Sequence, residues 1–226
     1  TQTHLLTILQ GKSPVKYDEF VALARATADP QVLMVGKGSP IKTPQELVAA
    51  GKSRNLKVGV THVGSIDHIS LIGFARKAGL QAPTAVPFRG GGDIVINVVS
   101  GNLDFGMLNY AEGESQIKAG DVRPIMVLAR QRMKVLPNVP TAKEVGIDAE
   151  YSTVRGFVTL KGVPDDRLKI LEDGLMKSMQ GQMYTTYIET SGQAPDSVAP
   201  RAAWQAQLDA MYKEADNELK ALGPTK

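Results

Sequence analysis

Leu56-Lys57-Val58-Gly59-Val60-Thr61-His62-Val63-Gly64-Ser65-Ile66-Asp67-His68 holds the change of pattern that decides the fold. Leu56 to Val60 reads as a strand. Thr61 to Ser65 is a polar loop, and Ile66 to Ala78 reads as a helix. The same alternation continues downstream. Thr84 to Val86 is predicted as a short strand and Gly92 to Ser100 as a helix. Asp104 to Leu108 is a strand, Ala111 to Ala119 a helix and Arg123 to Leu128 another strand, with a last strand at Gly156 to Leu160. Strands and helices taking turns predict a mostly parallel sheet with helices on its faces.

Upstream, Val32 to Val35 is a compact apolar run, bounded by Lys37-Gly38-Ser39-Pro40, and reads as a buried strand. Thr43-Pro44-Gln45-Glu46 reads as a helix start: Thr43 caps, Pro44 takes the first position, and Glu46 falls three after the cap. That helix runs to about Ser53. Before Val32 there is a short apolar patch, Leu5 to Leu9, then a polar stretch, then a helical pattern through Phe20, Leu23 and Ala24. Asp29-Pro30 breaks that pattern. After Pro164 only helices are expected: Asp165 to Gln180, Met183 to Thr190 and Pro200 to Ala221.

The 226 residues are 42% hydrophobic and 22% charged, enough apolar material for one large domain or two modest ones. No apolar run approaches the length of a membrane span; the best, Ile94 to Val99, is interrupted by Asn97. The formal net charge is +3. Lys and Arg are interspersed with Asp and Glu, without a basic stripe carrying aromatics, so nucleic acid is not the expected partner. The mild positive excess suits an anionic small ligand. With no cysteine, disulfides, thiolate nucleophiles and Cys-type metal sites are excluded together.

Two loops carry the candidate chemistry. Arg89-Gly90-Gly91-Gly92-Asp93 joins a strand to a helix. Its glycines let backbone N–H groups approach a ligand, and the following helix offers unpaired N–H groups at its positive end. The plain alternative is a tight turn that needs positive φ. Thr61-His62-Val63-Gly64-Ser65 joins another strand end to another helix start. Ser65 as a helix cap is the plain alternative there. In one parallel sheet two such loops lie at the same carboxyl edge, where open α/β sheets bind ligands.

Other motifs fail on inspection. Gly11-Lys12-Ser13 and Gly51-Lys52-Ser53 resemble phosphate-loop endings, but Leu6 and Glu46 stand where the earlier glycine is required. Gly36-Lys37-Gly38 is followed by Ile41 where a dinucleotide loop needs Gly or Ala. His62 and His68 are poorly spaced for a metal. Ser65, Asp67 and His68 are triad residue types without a nucleophile elbow. His68 is expected to pack or to hydrogen-bond. No cofactor and no metal are expected.

Several segments together resemble the tripartite tricarboxylate receptor family, also called Bug receptors. They are Val86-Pro87-Phe88-Arg89-Gly90-Gly91-Gly92, Gly101-Asn102-Leu103-Asp104, Ile117-Lys118-Ala119-Gly120 with Arg123, and Leu136-Pro137-Asn138-Val139-Pro140-Thr141 with Glu144 and Gly146. Gly64-Ser65 followed by His68 matches the family's Gly-Ser-x-x-His loop. The resemblance implies a periplasmic binding protein-like (type II) α/β fold: a two-lobed flytrap with a mostly parallel sheet, its first lobe incomplete and largely helical in this chain. The expected divisions are 1–30, part of the first lobe; 31–160, the second α/β lobe; and 161–226, a helical part of the first lobe.

The function implied is a periplasmic, non-enzymatic receptor. It would capture a small dicarboxylate, tricarboxylate or aromatic acid between its lobes and deliver it to membrane transporter subunits. The ligand contacts implied for the second lobe are Thr61, Gly64, Ser65, Gly90, Gly91, Gly92 and, more weakly, Asn109. Two features depart from the family pattern. Asp67 and Asp93 place carboxylates beside both anion loops, and the family's opening segment, with its first strand and glycine-rich loop, lacks a counterpart here. A chain without that segment is expected to bind its carboxylate more weakly. The alternatives from other classes are an enzyme acting on a small acid through the same loops, and a sensor or interaction subunit on the same fold.

Overall fold

A computed structural model describes residues 2–222 of the chain. The helices are α1 (Gln2–Leu9), α2 (Pro44–Ser53), α3 (Ile66–Ala78), α4 (Gly91–Val99), α5 (Tyr110–Ala119), α6 (Asp165–Ser178), α7 (Gln182–Thr190) and α8 (Arg201–Leu222). The strands are β1 (Phe20–Gly36), β2 (Lys57–Val60), β3 (Thr84–Pro87), β4 (Phe105–Asn109), β5 (Val122–Val127), β6 (Ser152–Leu160) and β7 (Ala199–Pro200). The chain divides into two compact units. A central unit runs from Pro30 to Ser152, and a terminal unit joins Thr1–Asp29 to Thr153–Lys226.

In the central unit the strand order is β3-β2-β4-β1-β5. Strand β2 is parallel to both β3 and β4. Both β4 and β5 run antiparallel to β1, so four of the five strands share one direction. The sheet is buried on both faces, as a sheet with crossover helices must be. Alternate residues of β1 divide between the two cores. Leu33 and Val35 join Leu47 of α2 and Leu71 and Phe74 of α3 on one face. Val32 and Met34 join Ile94, Val95 and Val98 of α4 and Tyr110 of α5 on the other.

Helix α4 packs against the sheet where three neighbouring strands offer glycines beneath it. A Cβ on Gly59 would lie 2.6 Å from Ile94, one on Gly36 2.3 Å from the Val98 carbonyl oxygen, and one on Gly106 3.1 Å from the Val98 side chain. Side chains at these positions would lift the helix and move its first turn.

The terminal unit is largely helical and is closed by residues far apart in the chain. Leu5, Ala22, Ala28, Val154, Trp204 and Leu208 share its core. Ser197 is buried and bridges both backbone groups of Ala28: the Ala28 N–H donates to Ser197 Oγ, which donates to the Ala28 carbonyl, each at 3.1 Å. Along β6, Phe157, Val158 and Leu160 are exposed.

Helix boundaries from Thr43 onward lie close to the predicted ones, and the Thr43–Glu46 capping box forms as expected. Two expectations are corrected. The helical pattern through Phe20, Leu23 and Ala24 is instead the first part of β1, a 17-residue strand. Ala24 and Arg25 pair with β7 there, so sheet partners distant in sequence override a local helical spacing. Pro30 does not end the strand; it falls where β1 passes from the terminal unit to the central one. The second correction concerns Gly156 to Leu160, expected as the last strand of the 31–160 lobe. It lies in β6, which pairs with the early part of β1, and the division falls at Ser152 instead.

Candidate functional site

Strands β2, β3 and β4 are parallel neighbours, and Val60 stands opposite Pro87 in register. Their carboxyl ends therefore deliver the loop 61–65, the loop 88–90 and Asn109 to one edge of the central unit. The chain leaves β2 toward the face that holds α3, and leaves β3 and β4 toward the face that holds α4 and α5. Connections that part to opposite faces open a crevice at a sheet's carboxyl edge. All seven expected residues, Thr61, Gly64, Ser65, Gly90, Gly91, Gly92 and Asn109, lie along that edge.

The 61–65 loop is held from within. The Asp67 carboxylate turns back and accepts the Thr61 N–H at 2.5 Å and the Thr61 hydroxyl at 3.0 Å. Gly64 adopts φ +77°, a left-handed conformation that glycine takes without steric cost. Its N–H donates to Nδ1 of His68 at 2.9 Å. That bond requires an unprotonated Nδ1. Burial pushes the His68 imidazole below its ordinary value; the Asp67 charge opposes this and His62 adds to it. Ser65 caps α3, its Oγ accepting the His68 N–H at 3.3 Å, while its own N–H goes to the His62 carbonyl at 3.1 Å.

These bonds sort the expected donors. The Thr61 and Gly64 N–H groups are taken by the protein itself and shape the loop. The Ile66 and Asp67 N–H groups lie in the first turn of α3, where no intrahelical acceptor reaches them. The Ser65 hydroxyl, already an acceptor, keeps a proton to donate. Asp67 is turned back into the loop, onto Thr61.

The glycine loop differs from its plain reading as a positive-φ turn. Gly90 is extended, at φ 175° and ψ 177°, and none of Gly90, Gly91 and Gly92 adopts the left-handed conformation. The crowded one is Gly91: a Cβ there would lie 2.1 Å from Oε1 of Glu112. The first helical bond of α4 runs from the Ile94 N–H to the Gly90 carbonyl, so the N–H groups of Gly91 to Asp93 have no acceptor within the helix. Asp93 is exposed in that first turn, beside the exposed Arg89.

Asn109 caps α5. Its N–H donates to Glu112 Oε2 at 2.9 Å, and its side-chain Nδ2 donates to the Pro30 carbonyl at 3.3 Å. Glu112 is the residue that the sequence reading missed. The spacing Asn109-x-x-Glu112 is a capping-box signature and could have marked it. Only the fold sets its carboxylate against Gly91.

Among the described residues no group of three His, Asp or Glu side chains gathers where a metal could bind. A groove of about 510 Å³ opens elsewhere on the central unit, lined in part by Pro44, Val48, Lys52, Lys77, Val145 and Ile147. It includes none of the expected ligand residues.

A UPF0065 protein of Agrobacterium vitis is 27% identical over 198 residues, 87% of this chain and 57% of that relative. The chain thus spans a little over half the length of that curated relative. Among solved structures, a TctC solute binding protein from Polaromonas shares the fold at TM-score 0.86 and 24% identity, over 97% of this chain and 76% of its own. MatC of Rhodopseudomonas palustris, solved with bound malate, does so at TM-score 0.74 and 23% identity, over 96% and 76%. The sequence profile described as "Tripartite tricarboxylate transporter family receptor" matches residues 11–216, and the chain belongs to that family.

Proposed function

We propose that the chain is a periplasmic solute receptor, not an enzyme, that captures a small organic carboxylate and passes it to a membrane transporter. The observation that carries this is the arrangement of α3 and α4, which start side by side at the carboxyl edge of the parallel strands β2 and β3. Two helix starts at one edge are an anion-binding arrangement. The ligand carboxylate sits against the first turn of α3 and takes the Ser65 hydroxyl. Thr61 and Gly64 hold that loop in shape, and Gly90 to Gly92 and Asn109 line the rest of the crevice. Malate, the acid bound in MatC, is the first acid to test.

A receptor reading is further supported by the condition of the groups an enzyme would use. Asp67 holds Thr61, and His68 holds Gly64, through the same atoms that would take a substrate proton.

The test is a thermal-shift panel on the full chain with malate, other organic acids, aromatic acids and amino acids. A ligand that binds only the native state adds about 2.7 kcal/mol of stability at a concentration 100 times its dissociation constant. At least one acid is expected to raise the melting temperature. A flat response to every acid would refute the reading.

A further inference from the structure

We infer that Glu112 acts as a built-in carboxylate at the start of α4, and that the site therefore selects a ligand with one carboxylate and, at its other end, a hydrogen-bond donor such as an amide, hydroxyl or amino group. This rests on the receptor reading above and narrows its ligand class.

The placement of Glu112 is fixed by three observations. Its carboxyl group lies against the first residue of α4: a Cβ built on Gly91 would meet Oε1 at 2.1 Å and the carboxyl carbon at 2.4 Å. Glycine at 91 therefore makes room for a carboxylate of the protein itself. The other oxygen, Oε2, accepts the Asn109 N–H at 2.9 Å, so the side chain is tied to the capping box of its own helix. Helix α5 is also packed closely on β1 at the next residue. A Cβ on Gly113, the next residue, would lie 2.7 Å from the sulfur of Met34, which is itself buried in β1.

A carboxylate at a helix start takes the position an incoming anion would use. Here that negative charge is supplied in cis, and Asp93 in the first turn of α4 adds another. Arg89 is the cation nearest in sequence, and it is exposed. A second ligand carboxylate brought to α4 meets like charge within a few ångströms. A ligand N–H or O–H meets a carboxylate acceptor instead. The start of α3 differs in geometry, because the carboxylate of its first turn, Asp67, turns back onto the Thr61 N–H and hydroxyl inside the loop. The two loops thus divide the work: α3 takes the ligand's anion and α4, through Glu112, takes its donor.

The experiment compares malate with its monoamide, malamate, by calorimetry on the full chain and on Glu112→Gln. The two ligands match in size and differ in one charge. Glutamine keeps an oxygen for the Asn109 N–H, so the capping box survives. The wild type is expected to bind malamate at least tenfold more tightly than malate, and Glu112→Gln to shift that ratio at least tenfold toward malate. Ser65→Ala is expected to weaken both ligands alike. If both ligands bind and Glu112→Gln leaves their ratio unchanged, the role of Glu112 is refuted while the receptor reading stands. If neither ligand binds either protein and no acid in the thermal-shift panel binds either, the receptor reading falls and this inference falls with it.

Discussion

Gly91 and Gly36 are both crowded, but by atoms of different kinds. A side chain at Gly91 meets the end of Glu112, which can rotate away; a side chain at Gly36 meets the Val98 carbonyl oxygen at 2.3 Å, which cannot move without α4. Gly91→Ala gives up the bond from Asn109 to Glu112, a cap worth about 0.5–2 kcal/mol. Lower freedom of the unfolded chain returns about 0.4–1 kcal/mol of that loss. Gly36→Ala forces a backbone shift in a packed layer, which costs about 1–3 kcal/mol or more. Urea unfolding of both variants is expected to place Gly36→Ala well below Gly91→Ala. Equal losses would mean that Glu112 is held as rigidly as the α4 backbone. The same reasoning changes the role of Gly91 in the site: its missing side chain serves Glu112 before it serves any ligand.

At the scale of the element, the β2–α3 connection is a loop closed by the helix it precedes. Asp67 and His68, in the first turn of α3, reach back to Thr61 and Gly64. His68 must be neutral at Nδ1 for this, and its value is lowered chiefly by burial. Above the unfolded-state histidine value of about 6.5, both states are neutral and the loop keeps its full stability. As pH falls below that, the unfolded chain takes a proton that the folded chain resists, and stability is lost until the folded imidazole also protonates. Wild type is expected to lose more stability than His68→Gln between pH 7.5 and pH 5 in urea unfolding, and parallel losses would count against the assignment. The order of these elements was legible because each strand–loop–helix step is local: Ser65, Thr43 and the apolar runs lie within a few residues of what they control. The closure by Asp67 was not legible, since its carboxylate could equally have faced the edge. Glu112 was legible as a cap and not as a neighbour of Gly91, because α4 and α5 meet only after β3 and β4 take places on either side of β2. The 20–24 segment was misread for the same reason: its β7 partner is some 175 residues away in the chain.

At the scale of the whole chain, two units share one strand. The early part of β1 pairs with β6 and β7, and its later part pairs with β4 and β5. Each unit nevertheless has its own core. The central one is packed on both faces of its sheet, and the terminal one gathers around Trp204, which is 1% exposed. Gly156 tests whether these cores open separately. A Cβ there would lie 2.6 Å from the Trp204 ring and 2.7 Å from the Ala24 carbonyl oxygen, trapped between an indole with no room to turn and the backbone of β1. Gly156→Ala is therefore expected to destabilise the terminal unit by about 1–3 kcal/mol or more, as overpacking does. The central unit keeps its bonds from β1 to β4 and β5, which begin only at Gln31 and Val32. Hydrogen exchange is expected to show faster exchange in β6 and α8 of Gly156→Ala, with protection in β2, β4 and the later part of β1 close to wild type. The ligand binding proposed for the Ser65 loop should then persist in conditions where Trp204 has become solvent-accessible by fluorescence. Equal loss of protection in both units would make β1 a rigid coupler, so that a change packed around Trp204 reaches the carboxyl edge of β2 through that one strand.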